Sequence, residues 1–522
     1  MRVSGYLRPG AALAMWLALA LASYSWNWRQ VFVGGQTYFV DPDCYARMTR
    51  VQQVITAPWK PIKFHDFENA PAGTTPHTTA PMDLLVAALC GAFHLVHWIS
   101  RVPSPLPPLD FAGAFVSPLL GLALVAFLWW WGRKLALPHR NAMLLIASVS
   151  PILVHGFQLG RPDHQSLIVL LVGAALATEI SLWRQPSRSA ELVSAVLWAL
   201  ALWTSFFEPL VLLGATALMR LAVLGRNAIP GRNAFLVFAV LLLSAILFDG
   251  WRIRAPSAEE QTYFFRWALN IGELRHATLP QLFRWTGWLL LASPLLLLWR
   301  SWKHRDRACA ALAVLLLLLT GLSLWHVRWG YFLAIGFALS LPSALAVIPS
   351  KPVAWLVFAI SLLPIAADWD RQLYPDEAGR VAREENREDA FLLRETSQAL
   401  LSPHRTIVLA PWWLSPAIAY WSGQRCVSGS SHQSLPGTVD SSRFYLSGTP
   451  EEAREILRKR SVKYVIAYEP SRVLSNSAQV LGRLPPEKPL GETLYDNPLG
   501  APSFLRLAFE NKFFKVFEFM DN

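Results

Sequence analysis

The sequence predicts a polytopic α-helical membrane protein that carries a C-terminal α/β domain outside the membrane. Three observations carry that prediction. The chain has 522 residues, of which 53% are hydrophobic and only 16% charged; about 25% charged is usual for a soluble chain. Its apolar residues come in long runs, among them Ala310 to Leu324 and Phe235 to Leu247, and several approach the ~20 residues that cross a bilayer. After Ala367 the runs stop and charges become dense. A soluble globular domain is excluded.

The remaining composition narrows the class. The 24 tryptophans fit an interfacial belt, and Trp129-Trp130-Trp131 falls where a span ends. The net charge of +12 reads as loop charge that sets topology, and no nucleic acid is expected as a partner. The four cysteines, Cys44, Cys90, Cys309 and Cys426, form no CxxC pair, so no zinc or redox motif is visible. Arg2 and Arg8 precede the apolar run Ala11 to Ala22. That run also resembles a secretory signal with Ala20-Leu21-Ala22 as cleavage site, but a retained anchor is preferred because many spans follow.

About eleven spans are read: Ala11–Asn27, Phe111–Trp131, Ala142–Phe157, Ser166–Trp183, Ala190–Thr204, Pro209–Leu224, Ala234–Phe248, Leu282–Trp299, Ala308–Trp325, Gly330–Ile348 and Val353–Ala367. Met82–Ser100 is a twelfth candidate. The basic loops decide its status. Arg133, Lys134, Arg140, Arg184, Arg188, Arg220, Arg226, Arg232, Arg300, Lys303, Arg305, Arg307 and Lys351 all fall on the cytoplasmic side if the N-terminus is inside and eleven spans cross. A twelfth crossing would turn them all outward. Met82–Ser100 is therefore read as an amphipathic or buried helix in a long first outer loop. The expected layout is a transmembrane domain over 1–367, with a first outer loop at 29–110 and a long outer loop at 249–281, and an extracytoplasmic domain over 368–522. The expected location is a bacterial inner membrane, with the N-terminus cytoplasmic and the C-terminal domain periplasmic.

This orientation gathers ionisable groups on one face. The first outer loop holds Val40-Asp41-Pro42-Asp43-Cys44-Tyr45-Ala46-Arg47, and the next holds Arg161-Pro162-Asp163-His164-Gln165. Glu208, Glu259, Glu260, Glu273 and Arg328 follow on the same side. Charges at membrane edges are costly and tend to be functional. Each also has a plainer use. Asp163 can cap the helix after it. Glu208, beside Pro209, reads as a first-turn acid and stays outside the core site. Glu259 and Glu260 read as solvated. His65, Asp66, His77 and His94 match no metal spacing and read as groove or surface residues.

In that order the motifs resemble those of the catalytic subunit of oligosaccharyltransferases, membrane glycosyltransferases of the GT-C fold, and the chain looks like a short, divergent, bacterial member. Asp41-Pro42-Asp43-Cys44-Tyr45 stands for the first-loop acidic motif. Asp163-His164-Gln165 stands for the D-x-D or DHH-like motif, Asn270-Ile271-Gly272-Glu273 for the TIxE-like glutamate, and Arg328 for the arginine before a late span. Trp412-Trp413-Leu414 stands for the start of WWDYG. The resemblance implies a metal-dependent, inverting transfer of a glycan from a polyprenyl (di)phosphate carrier to a protein or glycan acceptor. It implies Mg2+ or Mn2+ on Asp43, Asp163, Gln165 and Glu273, with Asp41 or Asp43 as the first-loop ligand and Asp43 favoured. Oxygen-only ligands suit those hard cations, and a bound cation offsets charge on the leaving phosphate. Asp43 and Glu273 are the expected catalytic groups. Arg328 and Arg161 are expected on the lipid phosphate, which a guanidinium fork grips well, and Trp412 and Trp413 on the acceptor. Leu414 replaces the family's acceptor-reading aspartate, so sequon specificity does not carry over.

Beyond Ala367, Asp368 to Asp389 reads as linker and helix. Arg405–Ala410, Arg425–Val427, Lys463–Tyr468 and Phe513–Phe519 read as strands. Ser415 reads as an N-cap with Pro416 at N1, and Glu451–Arg460 as an amphipathic helix. Trp421 and His432 are further candidates to face the acceptor. Two other functions stay open. One is transfer of a monosaccharide from a polyprenyl monophosphate to a glycan, lipid or protein. The other is a flippase for a lipid-linked glycan, which would be expected to show midplane charges and internal repeats or broken helices; no repeat is found in the sequence, and the acids sit in outer loops.

Overall fold

The computed structural model describes residues 9–58, 60–76, 78–101, 106–252 and 257–520; Arg2, Arg8 and His77 lie outside the described residues. Packing divides the chain into two units. One comprises Met1–Thr37, Asp110–Phe248 and Glu273–Asp376; the other comprises Tyr38–Leu109, Asp249–Gly272 and Glu377–Asn522. Most of the expected first outer loop and long outer loop thus belongs with the C-terminal segment.

The first unit is helical, apart from a two-stranded hairpin of Phe32–Val33 and Gln36–Thr37. Among the described residues of the whole chain, six helices are long and apolar enough to cross a membrane, or up to nine if each of three bent pairs is one span. The expected eleven is not reached by that measure. Pro9–Tyr24 and Gly330–Leu345 have 16 residues each and Arg188–Thr204 has 17. At 1.5 Å per residue they rise about 24–26 Å, short of a ~30 Å hydrocarbon layer. Three expected spans are broken. Arg140–Val149 and Pro151–Phe157 meet at 58°, where Pro151 has no amide hydrogen to continue the ladder. Leu279–Thr286 and Leu289–His304 meet at 74° across Gly287, whose φ is +85°. A Cβ there would stand 2.4 Å from the Ser361 carbonyl oxygen, so only glycine fits the bend. Lys351–Ser361 and Leu363–Leu373 meet at 43°.

All sixteen residues of Gly330–Leu345 are buried. A helix apolar on every side needs such a setting, and this one forms the core of the first unit. At the end of Pro108–Lys134, Arg133 lies over Trp129 and Lys134 over Trp130.

The second unit is built on a five-stranded sheet. Its strands are β1 (Ile407–Leu409), β2 (Arg425–Cys426), β3 (Tyr464–Ala467), β4 (Leu505–Glu510) and β5 (Lys515–Phe519), in the order β2-β1-β3-β5-β4. The pairs β1–β2 and β1–β3 are parallel, and β3–β5 and β4–β5 antiparallel. Parallel neighbours need crossovers; Ser415–Ser422 fills the first, and Leu435–Tyr445 with Pro450–Lys459 fills the second. The four expected strands are present and β4 is additional. Ser415 is not the N-cap: that position falls on Leu414, without a side-chain cap bond. The Ser415 hydroxyl instead meets Ser428 Oγ at 2.9 Å in the interior, a better partner than an exposed helix end.

The first-loop segment joins this sheet at β2. Cys426 N donates to Phe67 O and Ala70 N donates to Cys426 O. Beneath it runs a buried polar layer. Asp83 accepts from Arg47 at 2.6 Å and from Arg50 at 3.2 Å. Arg460 donates to Asp440 at 2.7 Å and to Asn69 at 3.1 Å. Glu68 accepts from Ser431 at 2.6 Å. His65 is 3% exposed, and neither ring nitrogen has a partner.

Burial, with Arg50 and Arg252 nearby, holds His65 well below its ordinary pKa. The unfolded chain takes up that proton near pH 6.5 and the folded chain refuses it. Stability is therefore full above about pH 6.5 and falls below it, by up to about 1.4 kcal/mol per pH unit. Glu68 acts oppositely: burial raises its pKa, so its penalty eases as pH falls towards the carboxylate range. Denaturant unfolding between about pH 7.5 and about pH 5.5 is expected to show the wild type losing stability on acidification and His65→Gln losing less. Equal losses would place the acid sensitivity elsewhere.

Candidate active site

The site of the first unit is assembled on the turn before the helix His164–Arg184. Gly160 sits at φ +76° and its amide donates to Ala114 O at 2.9 Å. Ser117 Oγ donates to Arg161 O, and Ser166 Oγ donates to Asp163 O at 2.8 Å. These bonds turn Arg161 inward, where it is 4% exposed. Its guanidinium donates to Glu273 Oε1 at 2.9 Å and to His155 Nε2 at 2.9 Å, and lies 3.9 Å from Asp163 Oδ2. Tyr331 OH closes the group, 2.8 Å from His155 Nδ1 and 3.4 Å from Glu273 Oε1. The Glu273 side chain keeps 29% exposure. It is a carboxylate gripped from behind and open in front.

Asp163 occupies the N-cap position, yet its side chain makes no cap bond. Its Oδ1 faces His164 Nδ1 at 2.6 Å. Gln165, one residue into the same turn, is 2% exposed, and its Oε1 is buried without a hydrogen-bond partner. Arg328 lies on a short 3-10 turn, Val327–Trp329. It is ion-paired to Glu208, which is itself buried and accepts from Ser205 at 3.1 Å. Val327 N donates to Arg275 O at 2.9 Å, tying the Arg328 turn to the segment that carries Glu273. Of the expected residues, the first unit therefore brings Arg161, Asp163 and Glu273 into one cluster, with Gln165 and Arg328 on adjoining turns. Arg161 is interior and donates to Glu273.

Asp41, Asp43, Trp412 and Trp413 belong to the second unit. Asp41 caps the helix Pro42–Thr56, accepting from Cys44 N at 3.0 Å; Asp43 stands exposed in its first turn. Trp412 packs edge-on to Trp267 at 5.6 Å, and Arg472 lies over Trp413 at 5.1 Å. Both rings line a small crevice with Thr438, Ser441, Asn476 and Ser477. Trp412 Nε1, Trp413 Nε1 and Ser441 Oγ are buried there without partners. Leu414 is buried. Trp421 packs among Tyr38 and Tyr45, and His432 against Phe264. Among the described residues, no group of three or more His, Cys, Asp or Glu is placed to hold a metal ion.

No protein-family model and no curated protein matches the sequence. Solved structures do match. The apo oligosaccharyltransferase of Archaeoglobus fulgidus aligns with a TM-score of 0.65 at 15% identity, over 98% of this chain and 80% of that one. The fold is that of the oligosaccharyltransferases. Archaeal oligosaccharyltransferase AglB from the same organism, in complex with an inhibitory peptide and a dolichol-phosphate, aligns at 0.61 and 16% identity, over 93% of this chain and 72% of that one. A third structure of the Archaeoglobus protein, with zinc and sulfate, aligns at 0.59 and 16% identity, over 96% and 72%. At such identities the likeness is one of fold. It agrees with the GT-C architecture expected from the ordered motifs, and with the six to nine span-length helices it makes the chain a multi-pass membrane protein.

Within the oligosaccharyltransferase fold, three participants escaped sequence reasoning. Glu208 read as a first-turn acid; its signal was the pairing of a serine and an acid beside two phenylalanines, a polar pair about to be buried. His155 lies inside an apolar run, and Tyr331 opens one. Nothing local marks either, because their partners are set by helix packing.

Proposed function

We propose that this oligosaccharyltransferase-like chain is a glycosyltransferase that moves a sugar from a polyprenyl (di)phosphate carrier to a protein or glycan acceptor. The observation that carries the reading is Glu273, an open carboxylate fixed from behind by Arg161 and Tyr331. A fixed carboxylate orients an acceptor N–H or O–H and draws on its proton as the bond to the anomeric carbon forms. On the far side of that carbon the bond to phosphate oxygen breaks. Arg328 lies on a turn tied to the Glu273 segment and is 24% exposed at its side chain. It can exchange its ion pair with Glu208 for the departing phosphate. By motif, Trp412 and Trp413 are assigned to the acceptor, where aromatic rings offer a stacking face. The Archaeoglobus AglB structure holds an inhibitory peptide and a dolichol-phosphate, which supports a lipid-linked donor and an acceptor here. The proposed setting is a bacterial inner membrane with the second unit on the periplasmic side.

A divalent cation fits part of this site. Asp163 and the unpartnered buried Oε1 of Gln165 are hard oxygen donors suited to Mg2+ or Mn2+. By motif, the first-loop ligand is Asp43 or Asp41, of which Asp41 also caps its helix. We keep Glu273 with the acceptor, since Arg161 already neutralises it. When bound, the ion would supply charge compensation to the leaving phosphate. The test is transfer of radiolabelled polyprenyl-linked sugar by the protein in membranes, with EDTA and with Mg2+ or Mn2+ restored. Wild type is expected to transfer and to stop in EDTA, and Gln165→Leu to need about 10-fold more cation. Transfer indifferent to EDTA would remove the cation. No transfer by wild type from either mono- or diphosphate donors would remove the transferase reading.

A further inference from the structure

Two stretches of the first unit meet beside Glu273 and bring together more basic side chains than the reaction above uses. Val327 N donates to Arg275 O at 2.9 Å, which lays Arg275-His276 alongside His326-Val327-Arg328. The imidazoles of His276 and His326 stack with ring centroids 6.3 Å apart, and Trp325 stacks on His326 at 4.2 Å. Among the described residues, neither imidazole and not the Arg275 guanidinium has a hydrogen-bond or ion-pair partner. Arg328 Nε is buried without a partner as well. The carboxylate on this cluster is Glu208, already paired with Arg328, while Glu273 is held by Arg161. Burial, with His276 and Arg328 nearby, lowers the pKa of His326. Its ring therefore serves at neutral pH as an uncharged N–H donor, and the arginines bring the charge.

A carrier with one phosphate would use Arg328, released from Glu208, and leave Arg275, His276 and His326 idle. A second phosphate esterified to the first would bring them acceptor oxygens and a further negative charge. Trp325 gives the depth of the cluster. It ends the span-length helix Arg307–Trp325 and is 48% exposed, as a tryptophan at headgroup level is. A phosphate esterified to a membrane lipid stays at that same level. We propose that Arg275, His276 and His326 read a second phosphate on the carrier, so that the donor is a polyprenyl diphosphate sugar and the monophosphate is the poorer ligand. The role of this carrier as sugar donor rests on the transferase reading above; its binding can be measured without transfer.

The test is equilibrium binding of radiolabelled undecaprenyl phosphate and undecaprenyl diphosphate to the full chain in detergent micelles, in EDTA so that no divalent cation contributes. Wild type is expected to bind the diphosphate at least about 10-fold more tightly, the worth of one charge-assisted hydrogen bond. The combined change Arg275→Ala, His276→Ala, His326→Ala is expected to abolish that preference by weakening the diphosphate alone. His276→Gln with His326→Gln keeps uncharged N–H donors and is expected to keep most of it. Arg328→Ala is expected to weaken both ligands. Arg275 and His276 are exposed and His326 half-buried, so the combined variant is expected to fold, which a melting curve shows; if it does not, the exposed single change Arg275→Ala carries the test. Equal binding of the two ligands by wild type, or binding of neither, overturns the proposal. So does a preference that survives the changes, or a loss that falls equally on both ligands. Such a failure leaves the transferase reading standing with a monophosphate donor, whereas absence of transfer from both donors removes that reading whatever the binding shows.

Discussion

Glu273→Gln is expected to lower the rate of sugar transfer by about 10²–10³-fold, the scale of a lost general base or fixed acceptor-orienting charge. The amide keeps the volume and an oxygen for the Arg161 bond at 2.9 Å. Arg161 is not stranded either, since Asp163 remains 3.9 Å away. The fold should therefore survive, and the loss should fall on kcat, with KM for the lipid-linked donor little changed. Single-turnover transfer by wild type and variant in the same membranes measures this. An unchanged rate would move Glu273 away from the reacting atoms and leave it as a partner of Arg161.

Asp83→Ala is expected to destabilise the second unit by about 3–5 kcal/mol, the range for removing one partner from a buried ion pair. One carboxylate serves two guanidinium groups, at 2.6 and 3.2 Å, and all three side chains are buried. Removing it leaves two buried like charges together, with Glu68 as the remaining nearby carboxylate. The triple change Asp83→Leu, Arg47→Met, Arg50→Met is expected to recover most of the loss, because apolar replacements of a buried ion cluster are often neutral or better. Urea unfolding reports both. A single-variant loss below ~1 kcal/mol would mean that the layer is hydrated and its ions cheap.

What the sequence made legible follows from the range of the interactions. Strands β1, β2, β3 and β5 were readable because β-branched and aromatic residues cluster between turn residues. Span positions were readable from apolar runs, but their breaks at Ser150 and Gly287 were not, since proline and glycine permit a bend without fixing where helices meet. In the candidate site, Asp163, Glu273, Arg161 and Arg328 stood out as charges at apolar boundaries. Their pairing did not, because whether Arg161 faces phosphate or Glu273 depends on Ser117, 44 residues earlier in the chain. Tyr331 and His155 are aromatic residues in apolar helices, where packing is the commoner use. The association of Phe67–Ala70 with Cys426 was invisible, since no local pattern registers a partner some 360 residues away.

The second unit is assembled from three separated stretches, and this has a consequence for its biogenesis. Asn69 and its partner Arg460 are 391 residues apart. At about 5–20 residues per second, some 20–80 s pass between their syntheses. During that interval the backbone of Phe67 and Ala70 has no β2 edge to pair with, while the intervening membrane helices are being inserted. The unit can close only after the Arg425–Arg460 stretch has been made, so its maturation is tied to the last steps of translation. A ribosome stalled before that point would display a chain whose membrane helices are in place and whose sheet-bearing unit is still open.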